Sequence, residues 1–515
     1  MKHFYVPDIR ELLDTGAEKF GNKTFIRYLE DGEIIDKSYN DVRSDAVAIC
    51  RYLRKECGEG KHIALVGKTS YRYITYLFGI LISGNVVVPF APETSSADGI
   101  SLFSSADIDV LMYEDNFYGR AIDICNSVSG IKQSINITDE DDYEDILAVY
   151  SDNSEYAKLS DYKVDKEKCA AIIYTSGTTG IRKGVMLSTK SLVANTMYTD
   201  YCEALGEGET ALSVLPMHHV YCFTGDIIRN LRDGVTVCLN GDLRNLNANI
   251  RLFEPTVMRV VPMIAQSLLQ RAKALSSRNP NLTPEEVRKR VFGKNLKWLI
   301  SGGAYLNPEI VEGYDKLGIY LRQGYGMTEA GCRISVPDER VSTESVGRVI
   351  DIADVRCRHG EIQVLTPSVM MGYYEMPEET KRMFTEDGWL RTGDIGSITE
   401  RRELFITGRL KNLIILSGGE NVSPEAIEKK FAAIPEVQEV QIYAENDRIV
   451  AEIFGNRDYC EANGIDDIRS TLEPKVKEMN LSAKASHIIT ELRIRDIPFE
   501  KTASGKIIRK RVNVS

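Results

Sequence analysis

The sequence predicts an α/β protein in two parts. The first is a large N-terminal domain, 1–409, of mixed, largely parallel sheets flanked by helices, and the second is a small α+β C-terminal domain, 410–515. Three observations carry that expectation. Apolar runs of strand length alternate with amphipathic helical stretches, which implies a largely parallel sheet covered on both faces. At 515 residues the chain exceeds what one core supports. After Gly408-Arg409-Leu410-Lys411 the pattern changes to a short mixture of helices and hairpin strands.

Composition narrows the function classes. A hydrophobic content of 43% is that of an ordinary globular protein. Acidic residues number 75 against 64 basic, a formal charge of -11, which disfavours a non-specific nucleic-acid binder. A small anionic ligand depends on local cations instead. The ten cysteines are scattered, with no C-x-x-C pair and no Cys/His grouping at metal-ligand spacing. With no signal peptide in view, reduced thiols and a cytoplasmic setting are expected.

Taking the elements in order, Asp8 can cap a helix with Ile9, Leu12, Leu13, Ala17 and Phe20 on one face, ended by Gly21-Asn22. Residues 25–28 and Ile34-Ile35 flank Asp31-Gly32, a hairpin signal. Asn40 opens a helix carrying Val42, Ala46, Ile49 and Leu53. Residues 63–66, a helix ending near Ile82, residues 86–88 and residues 108–112 follow as strand, helix, strand and strand. The stretch 73–92 resembles a membrane span, but Gly79, Ser83, Gly84 and Asn85 interrupt it. A buried helix followed by a strand is expected there. The acidic run 139–145 reads as a solvated face or a linker. In the C-terminal part, Ser423 caps a helix with Pro424 at its first position. Residues 437–443 and 449–454 flank Asn446-Asp447 as a hairpin, 468–479 is helical, and 487–493 is a strand.

The chemistry-bearing runs lie at the ends of such elements. The apolar run 170–174 enters Thr175, Ser176, Gly177, Thr178, Thr179 and Gly180, followed by Arg182 and Lys183. Small residues let backbone N–H groups approach an anion, hydroxyls add donors, and the lysine adds charge, which is what a polyphosphate requires. P-loop spacing cannot be laid over this run, and on composition alone it also reads as a solvated turn. His218 and His219 follow the apolar run that ends at Leu215, where core histidines are common. Ser301-Gly302-Gly303-Ala304 ends the strand 296–300; backbone contact with a flat ligand and a plain tight turn fit equally well. In Arg322-Gln323-Gly324-Tyr325-Gly326-Met327-Thr328-Glu329, glycines expose a tyrosine ring, then come a hydroxyl and a carboxylate. Tyr373-Tyr374 precede a short polar helix. In Trp389-Leu390-Arg391-Thr392-Gly393-Asp394 the carboxylate can accept from two vicinal hydroxyls, or be a turn aspartate. Thr502-Ala503-Ser504-Gly505-Lys506 is a small-residue loop holding one lysine.

In this order the runs resemble the signature motifs of acyl-adenylate-forming enzymes, namely acyl-CoA synthetases, luciferases and peptide-synthetase adenylation domains. The resemblance spans about 24 to 511. It implies that Thr175 to Gly180 and Lys183 hold the β- and γ-phosphates of ATP. It places adenine by Tyr325, between Gly324 and Gly326 and near Gly302, Gly303 and Ala304. Thr328 falls to the α-phosphate, Glu329 to Mg²⁺, and Asp394 with Arg409 to the ribose. His219 closes over the acyl carboxylate, and Lys506 is the catalytic lysine. His218 stands where the family often has Phe, and Ala503-Ser504 departs from its Pro-Thr, leaving Gly505 and Lys506 in place. The small domain is mobile in the family: Lys411 takes the hinge position, and Ser417-Gly418-Gly419-Glu420 leaves room for the pantetheine arm of CoA. Amino-acid-activating relatives usually place an aspartate near the His219 position, so an amino acid is disfavoured. No carrier domain follows Ser515, so a carrier protein would be a separate chain. The implied function is an AMP-forming ligase joining a fatty or aryl acid to CoA. A free-standing enzyme loading a carrier protein is the alternative, and a nucleotide-binding regulator without turnover is a distant third.

Overall fold

The computed structural model describes residues 5–161, 163–175, 182–198, 205–338, 340–416, 420–431, 434–501 and 507–509. The chain divides into two compact units. Met1–Leu306, Ile310–Asp354 and Val364–Leu390 make the first; Asn307–Glu309, Val355–Gln363 and Arg391–Ser515 make the second.

Two seven-stranded sheets build the first unit. One runs, in spatial order, Tyr320–Gln323, Trp298–Ser301, Val257–Val260, Thr210–Ser213, Thr236–Leu239, Thr24–Glu30 and Glu33–Ser38. All its neighbours are parallel except the last two, which form the hairpin at Asp31-Gly32. Positive φ at both Asp31 (48°) and Gly32 (86°) is what a two-residue hairpin turn demands. The other sheet runs Gly372–Tyr373, Lys183–Ser188, Cys169–Thr175, Val86–Phe90, His62–Val66, Val110–Tyr113 and Gln133–Asn136. Its last five strands are parallel, and the first two add antiparallel pairs at the edge. A smaller antiparallel sheet joins Tyr325–Met327, Cys332–Val336 and Arg348–Val349.

Helix Tyr71–Ile82 is buried at every position but Arg72, which explains its apolar, span-like sequence. Among the described residues no helix is long and apolar enough to cross a membrane. The second helix, Tyr39–Glu56, begins earlier than expected: Ser38, not Asn40, marks its start. The Ser38 hydroxyl accepts from Asp41 N, and the Asp41 carboxylate accepts from Ser38 N at 2.7 Å, a capping box. The acidic run is a helix rather than a linker. Asp139 caps Glu140–Val149, whose first-turn acids suit the N-terminal dipole while Tyr143 and Ile146 are buried.

The second unit carries a four-stranded sheet, Asp354–Arg358, Glu361–Leu365, Leu390–Ile398 and Leu404–Arg409, and a three-stranded one, Val437–Glu445, Arg448–Gly455 and Ile489–Arg495. Val422, Ile427, Phe431, Ile453 and Leu472 belong to its core. The hairpin turns at Asn446 (φ 50°) and Asp447 (φ 61°), residue types that tolerate left-handed backbone.

Candidate active site

The first unit gathers its site residues where parallel strands end. Strands Trp298–Ser301 and Tyr320–Gln323 are parallel neighbours, so the segments leaving their C-terminal ends, 302–306 and 324–328, start side by side. Gly324 N donates to Ser301 O at 2.8 Å. Gln323 ties the segments together, donating from Nε2 to Ala304 O at 2.9 Å and accepting from Leu306 N at 3.2 Å. Two glycines here are obligatory. Gly303 has φ 81°, and a Cβ on Gly326 would collide with the Cys332 carbonyl. Gly326 can therefore pair closely with the next strand, leaving the Tyr325 ring beside a bulge in the ladder.

Thr328, Glu329 and Ala330 form a single 3₁₀ turn closed by Gly331. Glu329 Oε1 accepts a hydrogen bond from the Tyr373 hydroxyl at 2.8 Å. Burial, first, and the Glu329 carboxylate, second, raise the Tyr373 hydroxyl above its ordinary pKa, so it remains a donor. Strand Gly372–Tyr373 lies against Lys183–Ser188, pairing Tyr373 with Val185. Lys183 is itself paired with Thr175 on the neighbouring antiparallel strand. The Lys183 ammonium stands 4.9 Å from the centre of the Tyr373 ring and donates to Glu379 Oε2 at 2.6 Å. That hydrogen bond holds the Glu379 carboxyl below its usual range. One tyrosine thus joins the expected phosphate lysine to the expected metal carboxylate.

His219 directly precedes a short helical turn, Val220–Cys222, that continues as a π-helix, Phe223–Ile228. The His218 and His219 rings lie 4.3 Å apart. Burial and the neighbouring His219 push His218 down to about 3, and the surrounding protein lowers His219 too, so both are neutral near pH 7. The Tyr221 hydroxyl donates to Ile300 O at 3.0 Å, and its ring covers Gly302, where a Cβ would stand 3.0 Å from Tyr221 Cε1. The histidine segment and the two-glycine turn are therefore in contact. Beneath them Asp226 accepts from Arg259 Nη1 at 3.0 Å and from Ser213 Oγ at 3.0 Å, all buried. Burial raises the Asp226 carboxyl above its ordinary value, and the Arg259 guanidinium opposes that shift.

Comparison with known proteins identifies this arrangement. The profile of the AMP-binding enzyme family matches residues 13–374, and that of the AMP-binding enzyme C-terminal domain matches 411–515. The chain belongs to the AMP-binding enzyme family. It is 27% identical over 565 aligned positions to a long-chain-fatty-acid–CoA ligase of Bacillus subtilis, covering 98% of this chain and 94% of that protein. Its fold is similar to that of ATP-bound MatB from Rhodopseudomonas palustris, with a TM-score of 0.79, 23% identity and 97% of each chain covered. It is also similar to the anthranilate CoA ligase AuaEII in complex with anthranoyl-AMP, with a TM-score of 0.80, 16% identity, and 98% and 96% covered.

Within this AMP-binding enzyme, Lys183 pairs with Thr175 and is joined to Glu329 through Tyr373. Tyr221, two residues after His219, covers Gly302, and the segments holding Gly303, Ala304, Gly324, Tyr325, Gly326 and Thr328 start side by side. In the second unit Asp394 and Arg409 are directly opposed on paired strands, with Arg409 Nε 2.8 Å from Asp394 Oδ1. Ser176, Gly177, Thr178, Thr179, Gly180, Gly418, Gly419 and Lys506 lie outside the described residues. Tyr373 and Glu379 went unnoticed as candidate site residues in the sequence. Each is defined by a contact with a residue distant along the chain, and no local spacing announces it.

Proposed function

We propose that this AMP-forming acid–thiol ligase activates a fatty or aryl carboxylic acid and passes it to CoA, in the cytoplasm. The acid's carboxylate attacks the α-phosphorus of ATP, the bond to the pyrophosphate oxygen breaks, and an acyl-adenylate forms. The CoA thiolate then attacks the acyl carbon, and AMP leaves. The physical difficulty is bringing two anions together and stabilising charge that grows on phosphoryl oxygens. Positioned cations and N–H dipoles accomplish this without a protein nucleophile.

Thr175 through Gly180 and Lys183 hold the β- and γ-phosphates, Thr328 the α-phosphate, and Tyr325 the adenine. Asp394 and Arg409 take the ribose, His219 borders the acyl carboxylate, and Lys506 offsets the repulsion between carboxylate and α-phosphate. Glu329 suits Mg²⁺. It offers hard carboxylate oxygens, one of them anchored by the Tyr373 hydroxyl, and would hold the ion through them. When bound there, Mg²⁺ would supply charge neutralisation to the phosphates. Residues 1–409 and 410–515 act as two domains with Lys411 as the hinge, and Gly418 and Gly419 make room for pantetheine between the half-reactions.

The observation that carries this reading is the joining of Lys183 and Glu329 through Tyr373 at the strand ends where the ordered motifs lie. It is tested by pyrophosphate release, which should require both Mg²⁺ and a carboxylic acid, with thioester appearing only on addition of CoA. Lys506→Ala should slow adenylation by about 10²–10³ while leaving thioester formation from supplied acyl-adenylate nearly intact. Transfer to a carrier protein but never to CoA, over a broad acid panel, would make the carrier-loading alternative correct.

A further inference from the structure

Arg333 lies four residues beyond Glu329, on the strand Cys332–Val336 that pairs with Tyr325–Met327. Its side chain is almost wholly enclosed, with 6% of the residue's surface exposed. Its hydrogen bonds are weak for a guanidinium: Nη1 meets only neutral acceptors, Asn195 Oδ1 and Thr224 Oγ1, each at 3.4 Å. Nη2 is buried without a hydrogen-bond partner in the described structure. Tyr198 and Tyr221 rings stand 5.9 Å from the guanidinium carbon, which attracts the charge but uses none of the N–H donors. The next cation is close. A Cβ on Gly225 of the π-helix would collide with Arg333 Nη2 and stand 3.0 Å from Arg259 Cδ, so two arginines converge on one glycine. Asp226 is bonded to Arg259 and Ser213.

Buried charge is tolerated when it is paired and hydrogen-bonded, and a guanidinium is best satisfied by the two oxygens of a carboxylate. Here Arg259 is hydrogen-bonded to the Asp226 carboxylate, while the hydrogen bonds of Arg333 among the described residues go to neutral acceptors. The place is also telling. Thr224 and Gly225 continue the turn that starts at His219, Tyr221 lies on Gly302, and Arg333 follows Glu329 along the chain. Arg333 sits behind the very segments assigned to the acyl carboxylate and the nucleotide.

We infer that Arg333 determines acid specificity by taking a second anionic group at the far end of the substrate's carbon skeleton, so that the acid activated is dicarboxylic. This rests on the ligase reading above and narrows its fatty or aryl acid to one with a terminal carboxylate. Arginine is required rather than lysine, because the planar fork offers donors in the carboxylate's own geometry.

The test measures kcat/KM for pyrophosphate release by the full chain with α,ω-dicarboxylic acids and monocarboxylic acids of matched carbon number, aliphatic and aryl. The wild-type protein should prefer dicarboxylates at least about tenfold, and Arg333→Gln should lower the ratio of dicarboxylate to monocarboxylate efficiency by about a hundredfold, the usual effect of breaking a buried charge pair. A preference for monocarboxylates in the wild-type protein overturns the inference even if the variant does not fold. So does a folded variant in which both acid classes fall by the same factor, since a packing role predicts that. Release with monocarboxylates alone sinks this inference and spares the ligase reading. No release with any acid sinks both.

Discussion

Around Tyr373 the first unit holds one lysine and two carboxylates within reach of water, while around Gly225 it holds two guanidiniums and one carboxylate sealed from it. The side chains of Lys183 and Glu379 are 18% and 36% exposed; those of Arg259 and Asp226 are 4% and 0% exposed. The difference lies in what it costs to change partners. In the open cluster, solvent screens each charge, so Lys183 can leave Glu379 for a phosphate at little expense. In the sealed one, each charge depends on a fixed neighbour, and exchange is possible only when another anion arrives dry. An open cluster suits a nucleotide that binds and leaves in every cycle. A sealed one suits selection among acids.

The largest effect expected is on the sealed side. Asp226→Asn keeps the shape and leaves Arg259 and Arg333 without a carboxylate. Breaking a buried pair by removing one partner costs about 3–5 kcal/mol, to be read from urea unfolding monitored by fluorescence. Removing the Arg259 charge as well, with Arg259→Met in the same chain, should recover part of that loss, because one guanidinium rather than two is then left without the carboxylate. If Asp226→Asn unfolds at the wild-type midpoint, the cluster is not held by charge.

The open cluster should yield a smaller, functional effect. Tyr373→Phe keeps the ring beneath Lys183 and deletes only the hydroxyl that Glu329 accepts. A hydrogen bond to a charged group contributes about 1.5–3 kcal/mol, so Mg²⁺ should be needed at roughly ten to a hundred times the concentration for half-maximal pyrophosphate exchange. Calorimetric binding of ATP without Mg²⁺ should be unchanged. Superimposable Mg²⁺ curves would detach Tyr373 from the proposed metal-binding role of Glu329.

These contacts mark where reading the sequence stops. Turn chemistry was legible because it is local: Asp31-Gly32 and Asn446-Asp447 both adopt the positive φ their residue types allow. The apolar run 73–92 was legible as helix then strand because polar and glycine residues break it. The helix start was misplaced at Asn40 because Ser38 belongs at once to a strand end and to a capping box, and only the three-dimensional pairing shows which serves. The acidic run hid a helix because its two anchors, Tyr143 and Ile146, are sparse among the acids. The motif glycines and hydroxyls were visible as a pattern, but Glu379 beside Lys183 and Arg333 beside Gly225 arise from sheet topology, which brings together segments far apart in the chain.

The smallest effect expected sharpens the contrast most. Glu379 sits on the short helix Pro377–Arg382, bonded to both Lys183 and Arg382 at the surface. Its carboxyl is held below the usual range by Lys183, so it is ionised throughout neutral pH and, under the proposed phosphate role of Lys183, would compete with phosphate for the same ammonium. Glu379→Gln removes the competing charge but keeps a side chain of the same length. Because exposed pairs contribute little to stability, thermal unfolding should be unchanged. The apparent affinity for Mg·ATP should rise by a few-fold at most, since the lysine no longer exchanges one anion for another. Raising the salt concentration should shrink the gap between wild type and variant, because screening weakens the wild-type pair first. A fall in affinity would mean that Glu379 serves to aim Lys183, and the open cluster would then be as dependent on fixed partners as the sealed one.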